Sequence, residues 1–463
     1  MTLAVNPSIF RQYDIRGIAE TDLSDPFVEA LGQAYGSVIK RQGGQRVVIG
    51  HDCRHSGIRI ADALQRGINR AGVDVIHIGM APTPLVYFGL YELEVDGGVA
   101  ITGSHNPPAW NGFKMCLGTG SMYGEQIQAL KTMIEAGDLE HGAGQVETLD
   151  LAPQYLSWMQ ANLAPLERPI KVVVDAGNGA GGPLASALYK ALGADVITLF
   201  CEPDGRFPNH HPDPTVEANL QHLKSAVAEH KAELGIAFDG DADRIGAVDG
   251  EGQVVWGDQL LLFFGRQILK TQPGARFVGE VKCSKVLYDE LEKAGGQAEM
   301  WKVGHSMIKA RMKETGAILA GEMSGHLFFA DRYFGYDDAV YAGARLMELL
   351  VESNDSLASM LDGLPPTEVT PELRVACEDT HKFTVIERAV AWFKARYPVV
   401  DVDGARINFP HGWGLIRASN TQPVLVMRFE ADSVENLNAY RSEVEGWLRA
   451  FAPEVDLEAD TDH

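Results

Sequence analysis

Positive charge is scarce in this chain of 463 residues. Its 40 lysines and arginines stand against 63 aspartates and glutamates, a formal net charge of −23. A surface that acidic repels phosphate backbones and anionic headgroups, so nucleic acid and membranes are not expected partners. Cysteine is sparse too. Cys53, Cys116, Cys201, Cys283 and Cys377 form no CxxC pair and no zinc spacing. An odd, scattered set fits reduced thiols and a cytoplasmic protein. No apolar run approaches the length of a membrane span. The opening Met1-Thr-Leu-Ala-Val-Asn-Pro7 lacks the basic region and long apolar core of a secretory signal. What is present is an ordinary globular share of apolar residues, 45%, over a length that calls for several cores. If such a chain binds an anionic small molecule, it must gather its few cations locally.

Two stretches stand out. The apolar run Gly98-Val-Ala-Ile-Thr102 reads as a buried strand, and it stops in Gly103-Ser-His-Asn-Pro-Pro108. Gly103 allows backbone conformations that other residues resist, and the two prolines block both strand and immediate helix. Ser104 therefore sits at a strand mouth beside His105, where open α/β sheets bind ligands. Alone, the stretch is equally compatible with a polar turn. The second stretch follows the strand-like Leu234-Gly-Ile-Ala-Phe238. In Asp239-Gly-Asp-Ala-Asp-Arg244 three carboxylates recur at alternate positions. They repel one another unless something neutralises them. Such oxygen-rich clusters suit hard cations, and Mg²⁺ in particular when a phosphate oxygen completes the set. A calcium loop of the kind that begins D-x-[DN]-x-[DN]-G does not fit, because its glycine and distal glutamate are missing.

The chain between these points alternates strand and helix. Strand-like Arg46–Gly50, a helical stretch from Ile58 to Ala71 and strand-like Val73–Gly79 predict parallel strands joined by right-handed crossovers. A rigid turn at Ala81-Pro-Thr-Pro84, a helix from Gln126 to Ile134 and a glycine-rich linker from Glu135 to Asp150 follow. The pattern restarts at Ile170–Asp175, with Pro183 at a helix start. The turn Ala176–Gly182 lacks the dinucleotide spacing. A third unit begins at Arg276–Val281, with Lys282, His305 and Glu322 at its strand ends. After a Pro-, Asp- and Ser-rich break, the pattern changes to helix plus short strands. There Asp432-Ser-Val-Glu435 reads as a capping box for a last helix ending near Phe451. The expected fold is α/β: three repeated mixed α/β sheet domains, 1–150, 151–253 and 254–364, and a smaller C-terminal α+β domain, 365–463.

Four motifs occur in order: Thr102-Gly-Ser-His-Asn-Pro107, Asp239-Gly-Asp-Ala-Asp-Arg244, Gly321-Glu-Met-Ser-Gly-His326 and Arg417-Ala-Ser-Asn-Thr-Gln-Pro423. In this the whole chain resembles the α-D-phosphohexomutase superfamily, and within it the bacterial phosphomannomutase/phosphoglucomutase group. The resemblance implies four domains around one central cleft. It implies transfer of a phosphoryl group between O1 and O6 of mannose or glucose phosphates, through a phosphoserine at Ser104 and a hexose 1,6-bisphosphate. It implies Mg²⁺ held by Asp239, Asp241, Asp243 and a phosphoserine oxygen of Ser104. Arg16, Lys114 and Arg244 would neutralise the transferring group, and His105, Lys114 and His326 remain open as the general base. Tyr13, Lys282, His305, His326, Glu322 and Ser324 would face the substrate, with Glu322 and Ser324 reading O3 and O4. Arg417, Ser419, Asn420 and Thr421 would grip the second phosphate. Met323 resembles the dual-specificity group. Ala242 departs from the family's usual glycine and strains the loop if φ there is positive. The expected partner is a small-molecule hexose phosphate, and the expected state a monomer. A sugar-phosphate phosphatase and a non-catalytic sugar-phosphate-binding protein are the alternatives.

Overall fold

In a computed structural model of the chain, residues 5–420 and 422–457 are described. Thr421 lies outside them. Four sheets follow one another along the chain. In the first, Arg46–His51, Asp74–Met80 and Gly97–Ile101 run parallel. Their central residues are buried on both faces, which is why they read as apolar runs. The sheet is mixed beyond them. Trp110–Leu117 returns antiparallel beside Gly97–Ile101, and Ile15–Ile18 adds antiparallel at the edge. The linker expected over 135–150 is partly strand. Val146–Thr148 pairs with Asp74–Met80 and closes the far edge. Its three residues are exposed and polar or single, so no apolar run announced it.

The second sheet joins Lys171–Asp175, Asp195–Leu199 and Leu234–Phe238 in parallel. Ile245–Asp249 folds back on Leu234–Phe238 with Phe238 opposite Ile245, so the aspartate loop is the tip of a hairpin. In the third sheet Arg276–Glu280 lies between Gln297–Trp301 and Leu319–Gly321, both parallel to it. Leu327–Phe329 pairs antiparallel with Leu319–Gly321, so Glu322 to His326 form another hairpin tip. The fourth sheet is antiparallel throughout its described residues and packs helices Lys382–Lys394 and Val434–Phe451. The last helix is capped one residue later than expected. The Ser433 hydroxyl accepts from Asn436 N, while Asp432 takes the Asn436 side chain.

One continuous apolar core runs through the first three units, from Val48 and Phe88 through Tyr155 and Val172 to Phe264 and Leu346. The fourth unit has its own core around Phe393, Leu425 and Trp447. It meets the third through a small cluster of Val281, Trp413 and Leu415. Three units share one core, and the fourth is joined to the third by that cluster and by polar bonds such as those of buried Arg406 to Val281 O and Cys283 O. Among the described residues no helix is long and apolar enough to cross a membrane.

Candidate active site

Ser104 stands at the end of Gly97–Ile101, nearly fully buried. The unusual backbone belongs to Ser104 itself, at φ +48°, and Gly103 is not in the left-handed region. Its Oγ donates to Asp239 Oδ2 at 2.8 Å and lies 3.1 Å from His105 Nδ1. The serine of the first unit is thereby joined to the carboxylate loop of the second.

Asp239, Asp241 and Asp243 are all buried and offer oxygens within 4.8 Å of one another. Three such charges persist only with nearby positive charge. Lys114, projecting from Trp110–Leu117, supplies it. Its Nζ donates to Asp241 Oδ2 at 2.9 Å and to Asp243 Oδ2. Burial alone lowers the Lys114 pKa, but Asp241 and Asp243 more than reverse that, and the ammonium stays charged. Asp239 is pushed well above the usual carboxylate range by burial and by the negative charges of Asp241 and Asp243. Burial works the same way on Asp241, but the Lys114 charge outweighs it and lowers its pKa. Thr83 donates to Asp241 Oδ2 at 2.5 Å. Asp241 Oδ1 and Asp243 Oδ1 are buried without a hydrogen-bond partner among the described residues. Buried oxygens without a donor, in an all-oxygen set, fit a hard divalent cation.

His326, at the end of the third unit's hairpin, adjoins this loop. Its Nδ1 lies 3.0 Å from Asp337 Oδ2 and its Nε2 accepts from Arg244 Nε at 3.0 Å. The Arg244 donor implies a lone pair at Nε2, and a neutral ring then carries its proton at Nδ1. Lys309 donates to the other Asp337 oxygen at 2.9 Å. Burial, then Arg244, holds the His105 pKa well below the usual histidine value. Burial, then Lys309, does the same for His305, whose ring stacks 5.6 Å from that of His326. Arg16 donates to Asn106 Oδ1 at 2.7 Å and pairs with Asp14.

The remaining residues gather on the opposite side. Glu322 Oε1 accepts from Gly304 N at 2.6 Å, and its Oε2 lies 3.9 Å from His326 Nε2 and 3.4 Å from Ser324 Oγ. Glu322 thus links the two groups. The Tyr13 hydroxyl donates to Val303 O at 2.7 Å and accepts from the Asn420 amide, so the first, third and fourth units meet at one phenol. Burial raises its pKa. Arg417 is buried and paired with Asp403, Nη2 to Oδ2 at 3.0 Å. Lys282 pairs with Glu372 at 3.1 Å. Ser419 is buried, and its Oγ accepts from Gln422 N at 3.2 Å. Sequence reasoning gave no role to Thr83, Asp337, Lys309, Asp403 or Glu372. Thr83 sat in a turn noted for its prolines, and the others lie outside the four motifs.

The arrangement can hold a divalent cation beside a serine hydroxyl, and two buried cations about a cleft. Comparison with known proteins agrees. Four family models match in chain order: Phosphoglucomutase/phosphomannomutase, alpha/beta/alpha domain I over residues 7–141, domain II over 154–252, domain III over 256–367, and the C-terminal domain over 372–446. The phosphomannomutase/phosphoglucomutase of Pseudomonas aeruginosa PAO1 is 44% identical over 446 residues, 96% of each chain. The phosphoglucomutase of Neisseria gonorrhoeae is 44% identical over 438 residues, 93% of this chain and 94% of that one. A crystal structure of a phosphoglucomutase/phosphomannomutase family protein from Burkholderia thailandensis superposes with a TM-score of 0.92 at 43% identity, covering 98% of this chain and 99% of the other. Ordered motifs, four sheets and near-complete matches agree that the chain belongs to the phosphoglucomutase/phosphomannomutase family.

Proposed function

We propose that this protein interconverts the 1- and 6-phosphates of mannose and glucose, carrying the phosphoryl group on Ser104 and passing through a hexose 1,6-bisphosphate. The observation that carries the reading is the Ser104 hydroxyl donating to Asp239 across two domains, beside two carboxylates with free oxygens. Asp239, Asp241, Asp243 and Ser104 would hold Mg²⁺, which when bound neutralises charge on the phosphoryl and serine oxygens.

O1 and O6 lie at opposite ends of the ring, so a covalent carrier is needed. In the first half the sugar hydroxyl attacks the phosphorus, its P–O bond forms and the bond to Ser104 Oγ breaks. The hydroxyl proton passes to His326 Nε2 once Arg244, whose Nε donates to that lone pair here, turns to the phosphoryl oxygens. Lys114 is unsuited as base because its carboxylate partners keep it protonated. Arg244 and Arg16 balance the equatorial oxygens, and Lys114 balances the departing serine oxygen. The bisphosphate then turns over and the steps run in reverse. Glu322 and Ser324 read hydroxyls common to both orientations, and O2 goes unread. Tyr13, Lys282, His305, Arg417, Ser419, Asn420 and Thr421 face the other phosphate, which Arg417 can grip with two parallel donors. Hinged motion of the fourth domain, a monomeric state and a cytoplasmic location complete the proposal.

The test is a coupled assay with mannose 1-phosphate and glucose 1-phosphate, with and without hexose 1,6-bisphosphate, on wild type and Ser104→Ala. Expected are isomerised products from both sugars and phosphate on wild-type Ser104 by intact mass. Loss in the variant should exceed about 10³-fold, in keeping with removal of a nucleophile. Free phosphate as the product would support a phosphatase instead.

A further inference from the structure

The loop between Arg46–His51 and Gly57–Ala71 carries two buried charges that phosphoryl transfer leaves without a role. Asp52 is 1% exposed and Arg54 2%. A guanidinium is costly to bury unless its donors are used. Arg54 uses them on one target. Nη1 donates to Pro107 O at 2.5 Å and Trp110 O at 3.0 Å, and Nη2 donates to Ser104 O at 2.8 Å and Asn106 O at 2.5 Å. Nε pairs with Asp52 Oδ2 at 3.1 Å. The same Asp52 oxygen accepts from Thr102 Oγ1 at 2.9 Å and Gly103 N at 3.1 Å, and Thr102 Oγ1 accepts from Ser104 N at 2.7 Å. A Cβ at Gly103 would lie 2.5 Å from Arg54 Cζ, so the guanidinium reaches the underside of the loop only because that residue is glycine.

We propose that Asp52 and Arg54 form a positioning unit that fixes the Ser104 loop from behind and aims its hydroxyl at the reacting phosphoryl group. The inference rests on reading Ser104 as the phosphoryl carrier. A serine at φ +48° stays there only if its surroundings impose it. Here both of its peptide neighbours are tied down. Asp52 acts on Gly103 N and, through Thr102, on Ser104 N, while Arg54 holds Ser104 O. Because the peptide is planar and trans, drawing Ser104 O towards Arg54 turns His105 N–H away from it. Four carbonyls converging on one cation also pull the loop into a single shape from 104 to 110. Neither residue touches the substrate in this account. Their effect is on where the nucleophile sits.

The experiment separates positioning from bulk stability. Thr102→Val removes the relay hydroxyl at nearly constant shape, and Thr102→Ser keeps it. Arg54→Lys keeps a charge but replaces the five-donor fork by three donors on a point charge. Melting temperature, kcat, KM and the phosphate content of Ser104 are measured for each. Thr102→Val should melt within about 3 °C of wild type. It should lose about 100-fold in kcat with KM held within about threefold, the scale of a small misplacement. Thr102→Ser should return most of kcat, and Arg54→Lys should lose at least as much as Thr102→Val. If Arg54→Lys does not fold, the Thr102 pair decides alone. A folded Thr102→Val with wild-type kcat, or with a change confined to KM, overturns the proposal. A wild-type chain that carries no phosphate on Ser104 and isomerises nothing overturns the reading of Ser104, and this inference with it.

Discussion

The two ends of the cleft solve opposite charge problems. At the serine end three buried carboxylates crowd together, and Lys114 and Arg244 are the cations set against them. At the far end the buried cations Arg417 and Lys282 carry the carboxylates Asp403 and Glu372. The serine end is therefore a negative pocket with a protein cation in it, suited to gain a metal ion. At the far end each of the two cations is already paired with a protein carboxylate, an arrangement suited to exchange a carboxylate for a phosphate. The serine end is also built into the welded core of three units, whereas Arg417 belongs to the separately cored fourth. The proposed swing of the fourth domain would move Arg417 and leave Ser104 and the aspartate loop in place.

The largest effect should come from breaking the serine end. Lys114→Met leaves the aspartates short of positive charge, and removing one partner of a buried ion pair costs about 3–5 kcal/mol. Thermal melts with and without Mg²⁺ would measure it. The increment of stability from Mg²⁺ should be larger in the variant than in wild type, because the metal would supply charge that the lysine no longer does. A variant as stable as wild type without metal would remove Lys114 from its role as counter-charge.

A comparable effect at the far end depends on pH. Burial, reinforced by the charge of Glu322 and opposed by Lys282, pushes the Glu280 carboxyl up to about 7. The folded protein then holds this proton more tightly than the unfolded chain does. Stability from this group is full below about pH 4.5 and lost as pH rises through 7, about 3 kcal/mol in all. Glu280→Gln has no such proton. Urea melts from pH 5 to pH 8 should show the variant gaining on wild type across that window. A constant difference would mean that Glu280 is charged throughout.

Much of this was legible beforehand, and the reasons differ by element. The apolar runs ending at Ile101, Asp175, Phe238 and Gly321 announced strands because both faces are covered. The polar residues Ser104, Asp239 and Glu322 stand where those runs stop, and the roles proposed for them came from the ordered motifs rather than from the runs themselves. What stayed hidden was whatever depends on pairing across the chain. Asp403 and Glu372 look like surface acids until the fold sets them against Arg417 and Lys282. Arg54 lies between a strand and a helix in a stretch without a pattern of its own, because its role lies in carbonyls some 50 residues away. The Val146–Thr148 strand was hidden for lack of apolar pattern. The base was left open among three residues because local sequence holds no tautomer. The proposal of His326 rests on the Arg244 N–H that meets its Nε2, a pairing across 82 residues.

A smaller change tests the exchange of carboxylate for phosphate. Asp403→Asn keeps an acceptor for Val303 N but withdraws the anion from Arg417. Substrate phosphate then displaces a neutral group. KM should fall about fivefold, close to 1 kcal/mol, the scale of one charge-assisted hydrogen bond. An unchanged KM together with lowered kcat would show instead that Asp403 orients Arg417.

The smallest expected effect returns to the serine end and to Ala242. Its φ is +55°, the left-handed region, which costs an L-residue about 1–2 kcal/mol. Ala242→Gly relieves that strain. Two terms oppose the gain. The Ala242 methyl is fully buried, and removing it forfeits about 0.8 kcal/mol. The glycine also loosens the unfolded chain, by about 0.4–1 kcal/mol. The terms nearly cancel, so melting temperature should move by less than about 2 °C. The reason alanine is accommodated lies opposite it. A Cβ on Gly181 would come 2.4 Å from the Ala242 Cβ, so the second-domain turn has made room for the methyl by carrying none itself. The two positions should therefore couple. Gly181→Ala alone should destabilise the loop, and the same change on the Ala242→Gly background should cost markedly less. A double-mutant cycle read by thermal melts gives that coupling directly. Additive effects would mean that the loop shifts freely to avoid the contact, and the rigidity assigned to the serine end would fail at its own metal-loop residue.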